Sequence, residues 1–113
     1  MHELSVALNI IEIVKENVPE NNLGDVKKIL LDIGEFSGIV VESLQFSFDI
    51  SKQESPIQNA NLKINKIPFK IFCNKCKIET SNAFGICSCE KCGSFDTINI
   101  SGTEMKITEI ELN

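Results

Sequence analysis

The sequence of 113 residues contains no arginine: all eleven of its positively charged side chains are lysines. Guanidinium forks for reading bases or gripping phosphates are therefore missing. The net charge of −5 likewise speaks against the basic face that nucleic-acid binders present. No apolar run approaches the roughly 20 residues that a membrane-crossing helix needs. The amino terminus shows no basic segment, uninterrupted apolar stretch or small-residue cleavage site, so a secretory signal is not expected and the expected compartment is the cytoplasm. Histidine is almost absent too, with His2 the single instance. No cysteine has an evident base to activate it, so the combination needed for hydrolytic or nucleophilic catalysis is missing. The chain reads as a binding protein and not as an enzyme.

What is present suits one compact domain with a small metal-stapled appendage: 42% of residues are hydrophobic and 24% charged. Leu4, Ala7, Leu8, Ile11, Val14 and Val18 recur at helical spacing, predicting a helix over Glu3 to Val18 that Pro19 ends. Val26 to Ile33 is β-branched and apolar, as in a strand stopping at Gly34. The stretch GEFSG, Gly34 to Gly38, lacks the spacing and terminal Lys-Ser/Thr of a phosphate-binding loop and reads as a turn. Val41, Leu44 and Phe48 place a second helix over Val41 to Ser51, on whose apolar face Phe46 fits poorly. Ser51 to Ala60 reads as a loop, and Leu62 and Ile64 alternate with polar residues as in a half-buried strand before Pro68. A last strand is expected at Met105 to Leu112, where the apolar phase breaks between Ile107 and Ile110, by a bulge or an early strand end. The expected fold class is α+β, a small mixed sheet of about three strands with two helices, plus an inserted zinc-ribbon-like domain. Residues 70–100 would form the insert, and residues 1–69 and 101–113 the α/β domain.

The insert carries CNKCKIETSNAFGICSCEKC, residues 73–92. Cys73 and Cys76 form one CxxC pair and Cys89 and Cys92 another. Two such knuckles can surround one Zn(II) with four thiolates in tetrahedral geometry. In a reducing compartment, metal ligation is favoured over disulfides. Four thiolates leave no position for water, so the site would be structural and replace the core that this segment is too short to build. Cys87 offers a CxC alternative with Cys89. The repeated two-residue spacing and the Gly93 that follows favour Cys89 and Cys92, which leaves Cys87 as a packing or spare thiol. Lys70, Lys75, Lys77 and Lys91 are placed to balance the thiolate charge and donate toward sulfur.

At the amino terminus, the simplest reading of His2 is a solvated chain end. A chelating one is also available. The Met1 amine and the His2 amide nitrogen would close a five-membered ring with a metal, and that amide with His2 Nδ1 a six-membered one. Such nitrogen fields suit Ni(II) or Cu(II). The Glu3 amide or carboxylate, water, or a carboxylate from elsewhere would complete the shell.

Met1-His2-Glu3 leading into a helix that starts LSVA, DIGEFSG at Asp32 to Gly38, and the paired cysteines together resemble the HypA/HybF family of hydrogenase nickel-incorporation proteins, over almost the whole chain. The resemblance implies a nickel metallochaperone that binds Ni(II) and passes it to the [NiFe]-hydrogenase large subunit with a maturation GTPase. It implies His2 as the essential nickel ligand with Glu3 beside it, and Cys73, Cys76, Cys89 and Cys92 as the zinc site. Some relatives also serve urease maturation. The sequence departs from the family pattern at Glu90, where a proline is common, and in the additional Cys87. No nucleic-acid or membrane partner is expected, and the chain is expected to be a monomer or a weak homodimer. The alternative is a zinc-ribbon module that binds protein or nucleic acid.

Overall fold

A computed structural model describes residues 2–113. It has two helices and two three-stranded sheets. Helix α1 spans Glu3–Asn17 and is followed by a 3-10 turn at Glu20–Asp25 and strand β1, Val26–Gly34. Helix α2, Val41–Ser51, then leads to β2, Asn61–Ile67. Strands β3 (Lys70–Cys73), β4 (Ile78–Thr80) and β5 (Thr97–Ser101) come next, and β6 (Met105–Leu112) ends the chain. The first sheet runs β2-β1-β6, with β1 parallel to β2 and antiparallel to β6, the mixed three-stranded sheet expected from sequence. The second runs β4-β3-β5 and is antiparallel throughout. Its strands lie within the cysteine segment, whose short apolar pieces carried too little periodicity to announce them.

The main core forms between the helices and one face of the first sheet. Along β1, Ile29, Leu31 and Ile33 alternate inward and are at most 2% exposed. Val6, Ala7, Ile10, Ile11 and Val14 of α1, with Leu44 and Phe48 of α2, cover them. Each such fully buried aliphatic or aromatic side chain contributes about 1.5–3 kcal/mol. Phe46 is 67% exposed, in keeping with its poor fit to the α2 face. The expected inward face of α1 is corrected in part: Ala7, Ile11, Val14 and Val18 are buried, but Leu4 and Leu8 point to solvent at 54% and 50% exposure. Apolar residues cover more than one side of this helix. Packing against α2 and β1 therefore selected the stripe through Val6 and Ile10. The loop after α2 includes a short 3-10 turn at Lys52–Glu54 and contributes Ile57 and Ala60 to the core.

The phase break in β6 is a bulge. Ile110 faces Ile29, Glu109 faces Leu30 and Ile107 faces Leu31, so Thr108 is the additional residue. Residues three apart normally sit on opposite faces of a strand. The additional residue brings Ile107 and Ile110 to the same side, where both pack on the core.

The molecule is elongated, with a radius of gyration of 17.3 Å against about 13 Å for a sphere-like chain of this length. The sheets meet at a backbone junction. Gly34 N–H donates to the Glu104 carbonyl at 2.8 Å, Glu35 N–H to Ile67 at 2.8 Å and Phe36 N–H to Gly102 at 2.7 Å. The Glu35 carboxylate accepts the Phe69 N–H at 3.0 Å, and the Phe36 ring stands edge-on to Phe69 at 5.4 Å. GEFSG is thus the clasp between the sheets. A Cβ on Gly34 would collide with the backbone of Gly102, and one on Gly102 with the backbone of Phe69. Gly102 also has φ +102°, a conformation that side chains disfavour.

Gly102→Ala is expected to destabilise the protein by at least about 2 kcal/mol, read by urea denaturation. Gly24→Ala, where a Cβ meets open space, should change stability by less than about 1 kcal/mol. Equal effects at the two positions would show that the junction is not tightly packed.

Candidate metal centres

The first centre is built by two loops of the same geometry. β3 ends at Cys73, and the chain turns so that Cys76 N–H donates to Cys73 Sγ at 3.3 Å and Lys77 N–H to the Cys73 carbonyl at 2.8 Å. In the second loop Gly93 N–H donates to the Cys89 carbonyl at 2.8 Å. Each loop closes on a residue with positive φ, Lys77 at 60° and Gly93 at 75°. The Asn74 side chain donates to Asp96 Oδ1 at 3.0 Å, and the Asn74 N–H to the Asp96 carbonyl at 3.0 Å, tying the first knuckle to the chain after the second.

These loops bring the sulfurs of Cys73, Cys76, Cys89 and Cys92 within 4.8 Å of one another. Cys73 and Cys89 are buried, Cys76 half-buried and Cys92 exposed. The Cys73–Cys92 sulfur separation of 3.7 Å matches the edge of a tetrahedron with metal–sulfur bonds of about 2.3 Å, which is about 3.8 Å. Cys76 is pushed up to about 12, first by sharing its proton with Cys92 and then by burial. Cys89 is pulled down to about 7, chiefly by the Cys92 and Lys91 backbone N–H groups, so at neutral pH it is substantially thiolate. So many thiols in so small a space favour a bound cation. Cys87 is exposed and outside this cluster, and its carbonyl accepts the Thr97 hydroxyl at 2.8 Å. Among the described residues, backbone N–H groups donate to the sulfurs, because the tight knuckles aim them inward.

The second candidate lies at the start of α1. His2 is the cap residue, exposed, with φ −81° and ψ 122°. Its carbonyl accepts Val6 N–H at 3.2 Å, while its side chain makes no capping bond. Among the described residues the imidazole has no hydrogen-bond partner, and its backbone is held at the start of the helix. Glu3 follows as the first helical residue, and its Oε2 accepts Val40 N–H at 3.1 Å. That bond first, and its own N–H second, hold the Glu3 carboxyl below its usual range. Met1 lies outside the described residues. The sequence singled out His2, Glu3 and the four clustered cysteines; it missed Glu35, Phe36 and the Val40 amide as the groups that hold the two centres in place. The glycines at 34 and 102 were the available signal.

An α+β scaffold with a closed four-thiol cluster and an exposed imidazole at the start of its first helix defines a small metal-binding protein. The family model described as hydrogenase/urease nickel incorporation, metallochaperone, hypA matches residues 1–112, and the chain belongs to that family. It is a family of maturation factors and not of enzymes. The chain is 40% identical to hydrogenase maturation factor HypA of Nostoc sp., across 99% of this chain and 96% of the relative. It is 38% identical to that of Desulfatibacillum aliphaticivorans, across 99% and 87%. The solution structure of the Ni metallochaperone HypA from Helicobacter pylori superposes with a TM-score of 0.70 at 28% identity, over 99% of this chain and 97% of that one. A second solution structure of a HypA protein gives 0.72, over 100% and 97%.

Two knuckle substitutions should act in opposite directions. Lys77→Gly relieves a side chain of positive φ and should raise thermal stability by about 1 kcal/mol, while Gly93→Ala should lower it by a similar amount. Calorimetric melting of the metal-loaded protein checks both signs.

Proposed function

We propose that this chain binds Ni(II) at its amino terminus and delivers it for [NiFe]-hydrogenase maturation. The observation that carries the reading is His2: an exposed imidazole, free of any capping bond, on the residue just before α1 in a chain of this family. The Met1 amine, the His2 amide and His2 Nδ1 supply three nitrogen donors, and the Glu3 amide, water or a carboxylate from elsewhere completes the shell. This nitrogen-rich field suits nickel. Ligation needs the deprotonated amine and imidazole, so acid conditions release the metal.

Cys73, Cys76, Cys89 and Cys92 hold Zn(II). The four-sulfur donor set and the 3.7 Å sulfur edge support this assignment. Zinc there fills a closed shell and has a structural role, stabilising residues 70–100 as a domain inserted between residues 1–69 and 101–113. The buried side chains Phe69, Ile71, Cys73 and Cys89 lie outside the main core cluster. With so little apolar material the second sheet depends on the metal.

The nickel acceptor is the hydrogenase large subunit, reached in concert with a maturation GTPase in the cytoplasm, and the chain acts as a monomer or weak homodimer. The relatives' names favour hydrogenase as the target, and the family description extends the reading to urease maturation proteins.

His2→Ala should abolish stoichiometric nickel binding and leave one zinc and the fold in place, as counted by native mass spectrometry of untagged protein. Stoichiometric nickel in that variant would overturn the assignment. Replacing Cys73 or Cys92 by Ser should release zinc and unfold residues 70–100, seen as collapse of their amide resonances. Zinc retained in both variants would place the site elsewhere.

A further inference from the structure

We propose that the Glu3 carboxylate is the mount of the nickel site: it positions His2 by clamping the start of α1 to the start of α2, and it does not ligate the metal. This rests on the reading of His2 as a nickel ligand. Glu3 directly follows His2, and its Oε2 accepts the Val40 N–H at 3.1 Å across 37 positions of sequence. Val40 is the residue before α2, as His2 is the residue before α1, and neither caps its helix with its own side chain. The positive ends of both helix dipoles therefore converge on one carboxylate, where a negative charge is favoured.

Val40 is itself held. Ile39 N–H donates to Ser37 Oγ at 3.3 Å, and Ser37 N–H to the Gly34 carbonyl at 3.0 Å, which ties the loop back to the end of β1. The His2 carbonyl is fixed by Val6 N–H. The His2 backbone thus stands between a helical bond on one side and the Glu3 clamp on the other. A chelate that uses both the amide and the imidazole of one residue depends on that backbone being held. Loss of the clamp costs affinity without removing a donor atom.

The test uses the untagged, zinc-loaded full chain titrated with Ni(II), comparing Glu3→Ala, Glu3→Gln and Val40→Pro. Alanine removes the acceptor, proline removes the donor and leaves the carboxylate, and the glutamine oxygen still accepts the Val40 N–H. Glu3→Ala and Val40→Pro should each weaken nickel binding about tenfold, and Glu3→Gln should stay within about threefold of the parent. The ligand-field spectrum of the nickel-saturated protein should be the same in all. Parental affinity in Val40→Pro, or an altered nickel spectrum in Glu3→Ala, would overturn the mount. The Val40 amide resonance gives a reading that needs no proline: it should move in Glu3→Ala and hold in Glu3→Gln, and an unmoved resonance in Glu3→Ala would also overturn it. His2→Ala separates the two ideas, since nickel retained there removes the nickel site itself.

Discussion

Close contact between three backbone segments, at Gly34, Gly102 and Phe69, organises both ends of this molecule. Hydrogen bonds from Gly34, Glu35 and Phe36 fasten the end of β1 to the strands entering and leaving the second sheet. The same loop runs on to Val40, whose amide reaches the first residue of α1. A side chain at Gly34 or Gly102 would push these backbones apart. The junction is thus a steric constraint first and a hydrogen-bond network second. Both candidate centres inherit their positions from it.

The two centres follow opposite physical designs. The cysteine cluster is closed, with four sulfurs within 4.8 Å, two of them buried, and backbone N–H groups aimed at sulfur by knuckles of positive φ. Its thiols come from two knuckles, which the Asn74–Asp96 bonds also tie together, so a metal bound there would be coupled to the local fold. The amino-terminal centre is open, its one imidazole exposed at the start of a helix whose far side is buried in the main core. Releasing a metal from such a place disturbs no core packing, as a carrier requires.

Much of this was legible beforehand, for identifiable reasons. The four cysteines have a spacing that few structures other than paired knuckles satisfy. β1 and α2 carry strong apolar patterns with clear stops. The break between Ile107 and Ile110 was visible because a strand's period of two tolerates no silent insertion, and the Thr108 bulge accounts for it. The inward face of α1 was only partly legible. Leu4 and Leu8 are as apolar as Val6 and Ile10, and no local property of the helix distinguishes the two rows. The strands β3, β4 and β5 escaped notice because segments of three to five residues carry almost no period.

The sequence by itself determined the helices and strands of the first sheet, the pairing of cysteines into knuckles, the poverty of positive charge suited to nucleic acid, and the chemistry that one histidine beside a terminal amine can offer. These are properties of residue type and spacing along the chain. Tertiary structure alone decided which side of α1 is buried, that GEFSG is a clasp between sheets, that backbone amides reach the sulfurs, and that the Glu3 carboxylate meets the Val40 amide. Each joins groups far apart in sequence, or chooses between chemically equivalent rows of side chains. Only the closing of the chain on itself brings such groups together.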